Sequence, residues 1–220
     1  MIRIIFLGPP GSGKGTQAHL ITNKYNIPNI STGMMLRQTI HNSSYQSYEL
    51  NKNIKNIIHA GDLVNDEFML QLVNTRISQR DCRNGFLLDG FPRTILQAKS
   101  MKKYEIFVNY IIEFFISDSV IIDRIIGRRI HVSSGRTYHI KFNPPKNYGL
   151  DDITGEVLTT RKDDHEEAIR QRLHNYYQHT APVSDYYRKE SKDKKIKYFA
   201  VDGNRDISEI YKELINIINL

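Results

Sequence analysis

Cysteine is all but missing from this chain of 220 residues: Cys82 stands alone. A single thiol excludes an intrachain disulfide and a metal site built from cysteines. No apolar run is long enough to cross a bilayer. The first residues read as a buried strand, without a basic leader and cleavage site, so no signal peptide is expected. Together these absences point to the cytoplasm. The sequence also lacks internal repeats and low-complexity linkers. Its 40% hydrophobic and 25% charged content belong to an ordinary globular protein, one able to bury a sizeable core with small inserted subdomains.

Acidic residues fall short of basic ones, 24 against 31, for a net charge of +7. Such a surplus invites a nucleic-acid reading. Much of it, however, lies in Lys99, Lys102, Lys103 and the stretch from Lys189 to Lys197, which read as solvated helix ends and turns. Other arginines stand beside motifs suited to phosphate. The charge fits a small polyphosphate as well as it fits RNA.

What is present begins with Gly8-Pro9-Pro10-Gly11-Ser12-Gly13-Lys14-Gly15-Thr16, directly behind the apolar run Ile2 to Leu7. A buried strand, a glycine-rich turn and a helix over Lys14 to Tyr25 make a phosphate cradle. Glycines let the backbone wrap an anion, and the turn aims N–H groups and the helix N-terminus at one point. Lys14 supplies a mobile positive charge and Thr16 a hydroxyl suited to magnesium, although Gly15 stands where the general pattern has the hydroxyl residue.

Strand and helix signals then alternate, which favours a parallel α/β sheet. Strands are expected at Ile27 to Ile30, Gly85 to Asp89, Val108 to Ile116 and Lys197 to Val201. A capped helix should start near Ser117, and an amphipathic helix over Asp206 to Asn219 closes the chain. Residues 31–65, helical and polar, and residues 127–164, rich in turns, interrupt the rhythm and read as insertions on the ligand-facing edge. Asp89, at the carboxyl end of an apolar strand, is placed to hold a magnesium-bound water, and Arg93 lies where a second anion could sit. An Asx turn beside a surface arginine is the alternative.

With the loop at 8–16, Ser31-Thr32-Gly33, Met35-Leu36-Arg37, Gly85 to Thr94, and Arg161-Lys162-Asp163-Asp164 with Arg172, the chain resembles the adenylate kinases from Met1 to its last helix. These are nucleoside monophosphate kinases, and the closest resemblance is to the long-lid bacterial type. The resemblance implies an α/β P-loop fold: a five-stranded parallel sheet flanked by helices, with a helical monophosphate-binding insertion (31–65) and a small β-rich lid (127–164) in a single kinase domain, 1–220. It implies the reaction MgATP + AMP ⇌ 2 ADP, serving adenine nucleotide homeostasis and salvage. The partners would be ATP, AMP and ADP, with Mg2+ accompanying ATP and no zinc, no specific nucleic acid and no membrane, in a monomer. A kinase for another monophosphate, or a nucleotide- or RNA-binding protein on the same fold, is the alternative.

The resemblance also assigns residues. Lys14, Arg93, Arg124, Arg128, Arg161 and Arg172 would be catalytic, since phosphoryl transfer needs positioning and positive charge. Arg124 and Arg128, four apart, are expected on one helix face. ATP would be held by Gly11, Ser12, Gly13, Lys14, Gly15, Thr16, Arg124, Arg128, Thr137, Tyr138 and Arg205, with Arg124 and the lid backbone at Thr137-Tyr138 sandwiching adenine. AMP would be held by Thr32, Arg37, Asp62, Leu63, Val64, Gly90, Phe91, Pro92, Arg93, Gln97, Arg161 and Arg172, with Gln97 reading the adenine edge. Thr16 and Asp89 would serve magnesium.

Some family members tether the lid with zinc through two pairs of ligands. The equivalent positions here are His131, Ser134, Asp151 and Thr154, and hydroxyls are poor zinc ligands. A hydrogen-bonded cluster is expected instead, with Gly127 as a hinge. Adenylate kinase lids are a familiar case of gating, in which closure excludes water. Two departures stand out. The family pattern after Ser-Thr-Gly has aspartate, but this chain has Met34, whose thioether is at best a weak acceptor. A slower enzyme, or one needing more magnesium, is expected. The stretch from His41 to Tyr48 is longer than usual and reads as a surface insertion.

Overall fold

Strand segments whose residues are apolar at consecutive positions must be covered on both faces, and a parallel sheet between helix layers meets that demand. The computed structural model describes residues 1–41, 48–161, 163–193 and 195–219. The chain runs β1 (Ile2–Leu7), α1 (Lys14–Tyr25), β2 (Asn29–Ser31), α2 (Thr32–His41), α3 (Tyr48–Ala60), α4 (Asp66–Ile77), β3 (Gly85–Asp89), α5 (Ile95–Lys103), β4 (Tyr110–Phe115) and α6 (Asp118–Ile126). It continues through β5 (Arg128–Ile130), β6 (Thr137–His139), α7 (Glu166–Asn175), α8 (Ala181–Glu190), β7 (Lys197–Asp202) and α9 (Ile207–Ile218). The extra residues expected between His41 and Tyr48 lie outside the described residues, as does Lys162.

Five parallel strands form the sheet in the order β2-β3-β1-β4-β7, with β1 central. Side chains alternate across it. Ile5, Leu7, Leu88 and Ile111 face a core completed by α4, α5 and α8. Ile4, Phe6, Leu87, Ile112 and Phe114 face the opposite core, closed by Ala18 and Ile21 of α1 and by Ile210, Leu214, Ile217 and Ile218 of α9. Every strand therefore ends on the same edge, and ligands of such sheets bind beyond the carboxyl ends of the strands. No helix among the described residues is long and apolar enough to cross a membrane.

The strand expected at Ile27 to Ile30 is shifted to Asn29–Ser31. Pro28 has no N–H to give the ladder, so only its carbonyl pairs, with Leu87 N at 3.0 Å. Ser117 precedes α6, but its hydroxyl donates to Asn204 Oδ1 (3.4 Å) and does not cap the helix. The rhythm-breaking stretches contain α2 and α3 in one case and the antiparallel pair β5–β6 in the other. Bridges Ile130–Thr159 and Leu150–Val157 extend that pair. One expectation fails here: Arg124 and Arg128 do not share a helix. α6 ends at Ile126, with Gly127 as its C-cap, so Arg128 opens β5.

Candidate active site

Beyond β1 the chain turns through Gly11 and Gly13 at φ +78° and +87°, a region that strains any side chain. Residues Gly11 to Thr16 line a cavity of about 580 Å³ at the carboxyl edge of the sheet. The Lys14 ammonium donates to the carbonyls of Gly8 and Pro9 (2.7 Å each) and to Ser12 Oγ (3.1 Å). Burial lowers its pKa from 10.5 to about 8; Asp89 opposes the shift, while Arg93 and Arg128 add to it. Thr16 Oγ1 lies 3.1 Å from Thr137 Oγ1 of β6, so loop and β5–β6 pair meet across the cavity. Asp89 ends β3 with its carboxylate toward the loop: a Cβ on Gly15 would stand 3.8 Å from Oδ2. That carboxylate has no hydrogen-bond partner among the described residues.

The same cavity collects Arg37 from α2, Arg93 from the turn after β3, Arg128 from β5, Arg161 from the loop before α7, and Arg172 from α7. Arg128 forks onto Asp164, with Nε–Oδ2 at 2.9 Å. Arg172 pairs with Asp163 and, at 3.3 Å, with Asp164. Arg37 lies 3.7 Å from Asp163. Arg93 donates to the Gly90 carbonyl (2.8 Å), and Arg161 Nε is buried without a partner among the described residues. Burial, then the like charges of Arg128 and Arg37, hold Arg161 well below its ordinary pKa. Burial also pulls Arg172 to about 9, and Arg128, Arg93 and Arg37 reinforce it. Cations that depress one another in a low-dielectric cleft favour a multiply charged anion. Asp163 and Asp164 brace Arg37, Arg128 and Arg172, a role the sequence does not announce, although both adjoin Arg161 in a recognised block.

A smaller cavity, about 60 Å³, is lined by Thr32, Asp62, Leu63, Val64, Gly90 and Gln97 and shares Arg37, Arg93 and Arg172 with the first. Thr32 Oγ1 donates to the Gly90 carbonyl (2.9 Å). Asp62 accepts from Gln171 (2.9 Å) and Asn175 (3.2 Å) of α7. Pro92 lines the larger cavity. Phe91, expected among the AMP-binding residues, lines neither cavity: it is 1% exposed and its side chain packs in the core, where apolar area is best buried.

Across the larger cavity, Arg124 donates to the Gly203 carbonyl (2.7 Å) and lies over the Phe142 ring at 5.5 Å. Phe142 and His139 escaped the sequence reading, having no motif around them. His139 Nδ1 accepts from the N–H groups of Lys141 (2.9 Å) and Phe142 (3.0 Å), which leaves its proton on Nε2, 3.1 Å from the Asp123 carbonyl. Its ring occupies the space beside Gly127, where a Cβ would fall 2.2 Å from Nε2. Gly127 is thus held by packing as the C-cap of α6. Arg205 pairs with Glu213 of α9. Tyr138 turns its hydroxyl away from the cavity to Asp151 Oδ1 (2.9 Å).

That hydroxyl belongs to the expected cluster. His131 Nδ1 meets Ser134 Oγ (2.7 Å), and Thr154 Oγ1 reaches Asp151 Oδ2 (3.0 Å) and His131 Nε2 (3.3 Å). Arg136, missed from the sequence, forks onto Asp151 at 2.8 and 2.6 Å, and Glu156 pairs with His131. The Arg136 hydrogen bonds, against the opposing effect of burial, hold the Asp151 carboxyl well below the usual range.

The adenylate kinase family model matches residues 6–192. The adenylate kinase of Blochmanniella pennsylvanica (strain BPEN) is 83% identical over 219 residues, the whole of both chains. The chain belongs to the adenylate kinase family. The adenylate kinase of Sodalis glossinidius (strain morsitans) is 55% identical over 217 residues, covering 99% of this chain and all of that one. That of Blochmanniella floridana is 54% identical over 219 residues. In this family member Met34 is turned toward the β5–β6 region: a Cβ on Gly135 would fall 2.6 Å from both its sulfur and its terminal carbon.

Proposed function

We propose that the protein is an ATP:AMP phosphotransferase that interconverts MgATP and AMP with two ADP, as its membership of the adenylate kinase family implies. The observation that carries this reading is the meeting of two cavities at one arginine cluster. A glycine loop lines the larger, a glutamine the smaller, and Arg37, Arg93 and Arg172 belong to both.

In this reading residues 31–65 are the AMP-binding insertion and 127–164 the lid. Lys14 and the loop amides hold the ATP phosphates, while Arg124 and Phe142 flank its base. Arg37, Arg93 and Arg172 orient the AMP phosphate; Arg128 and Arg161 stabilise the charge on the transferring group. Guanidinium forks suit this work because they bind two oxygens at once and keep their charge. The lid excludes water, which would otherwise compete as the acceptor. The Thr16 hydroxyl and the Asp89 carboxylate, which has no hydrogen-bond partner among the described residues, fit magnesium, a cation that prefers oxygen ligands. Bound with ATP, the ion would offset negative charge on the phosphate oxygens. The enzyme acts as a cytoplasmic monomer with no zinc and no nucleic-acid partner.

The test is ADP formation from ATP with AMP, CMP, UMP or GMP as acceptor, repeated with a two-headed adenosine pentaphosphate inhibitor. Strong preference for AMP and inhibition by the two-headed compound are expected. Another preferred acceptor would reassign the substrate, and salt-sensitive RNA binding without ADP formation would overturn the reading.

A further inference from the structure

Gln97 is 2% exposed, and its amide is wired to the protein from both ends. Its Oε1 accepts the Arg93 backbone N–H at 2.7 Å. Its Nε2 donates to Asp66 Oδ1 at 2.6 Å. Asp66 is fixed in turn, because Oδ2 accepts from Thr94 Oγ1 (2.9 Å), and that oxygen accepts the Gln97 backbone N–H (3.1 Å). A backbone N–H can only donate and a carboxylate can only accept. Turning the amide over would set donor against donor at Arg93 and acceptor against acceptor at Asp66.

We infer that Asp66 is a specificity-determining positioning residue, which together with the Arg93 backbone N–H locks the Gln97 amide in the one orientation that reads an amino-substituted base edge. The inference rests on the reading of the smaller cavity as the monophosphate site. One hydrogen of Nε2 and one lone pair of Oε1 are left for a ligand. Adenine matches them with a bare ring nitrogen beside an amino group. Hypoxanthine, of the same size, presents a ring N–H beside an oxo group and meets both positions with the wrong polarity. An amide that has lost the Asp66 bond is held only through Arg93 and turns over more readily to meet the oxo base; one locked at both ends leaves buried polar groups unpaired against it, which discriminates far more than size alone. Asp66 itself needs no contact with the ligand.

The experiment compares kcat/KM for AMP and IMP in the wild type, Asp66→Ala and Asp66→Asn, with KM for ATP as the control. Asp66→Ala should lower the AMP-to-IMP ratio by about tenfold or more. Asp66→Asn, whose Oδ1 can still accept from Gln97, should keep most of the preference, and KM for ATP should not move. If Asp66→Ala does not fold, Thr94→Val, which releases one Asp66 oxygen, is read in the same way and should also lower the ratio. An unchanged ratio in the folded variant overturns the inference while leaving the kinase reading intact. A wild type that makes no ADP from AMP fails the kinase reading itself.

Discussion

At the scale of single residues, the site is built from cations that the folded protein stabilises poorly. Arg161 has a buried Nε without a partner among the described residues, and burial and neighbouring arginines oppose its charge. If Arg161 acts on the transferring group as proposed, Arg161→Ala should slow turnover on the order of 10³-fold, the scale for arginines that stabilise transferring phosphate. The melting temperature of the nucleotide-free protein should hold or rise; a clear fall would show that Arg161 is structural. Lys14 makes a related statement about pH. Its pKa is lowered from 10.5 to about 8, so between those values the unfolded chain binds the proton more tightly and this group's contribution to stability rises with pH. A bound triphosphate adds negative charge and drives the pKa back up. Binding of a non-hydrolysable ATP analogue just above pH 8 should thus take up protons, seen by calorimetry in buffers of different ionisation enthalpy. Uptake that persists unchanged in Lys14→Met would assign the proton to another group.

At the scale of elements, the junction between α6 and β5 matters most. Gly127 sits there with ordinary dihedrals, φ −77° and ψ −3°, and what demands glycine is the His139 ring. A methyl group at this position must push that ring off the Asp123 carbonyl and the N–H groups of Lys141 and Phe142. Gly127→Ala should cost about 1–3 kcal/mol, the usual range for overpacking. Thermal unfolding of the variant measures it, and a neutral result would mean the ring relocates freely. The cluster around Asp151 shows the other side of element-scale design. Ser134 and Thr154 were legible as weak zinc ligands, and hydrogen bonding was the natural expectation. Arg136, Glu156 and the Tyr138 hydroxyl complete the cluster, yet none could be read from spacing, because Tyr138 comes from β6, Arg136 from just before it and Glu156 from a later loop.

At the scale of the whole molecule, the β5–β6 region touches both the glycine loop, through Thr16 and Thr137, and α2, through Met34 and Gly135. The Met34 contact carries a consequence for the metal. The resemblance implies aspartate where Met34 stands, and Asp89 turns its carboxylate toward the glycine loop. Met34→Asp should reach half-maximal rate at a lower magnesium concentration than the wild type in a coupled assay. Superimposable magnesium curves would show that position 34 serves contact with the β5–β6 region alone.

The glycine loop, the apolar strands and the closing amphipathic helix were all legible in the sequence, because each is dictated by neighbours a few residues away: φ > 0 needs glycine, and periodic apolar residues need cover. Belonging to the adenylate kinases was legible for the same reason, since its motifs are contiguous blocks. Only the tertiary structure decided which face each of those residues presents. It put Phe91 in the core, moved Arg128 from helix to strand, paired Arg37, Arg128 and Arg172 with Asp163 and Asp164, and set Asp66 against Gln97 across 31 positions of chain. Burial and pairing over such separations depend on how the packed elements meet, and no local pattern encodes that meeting.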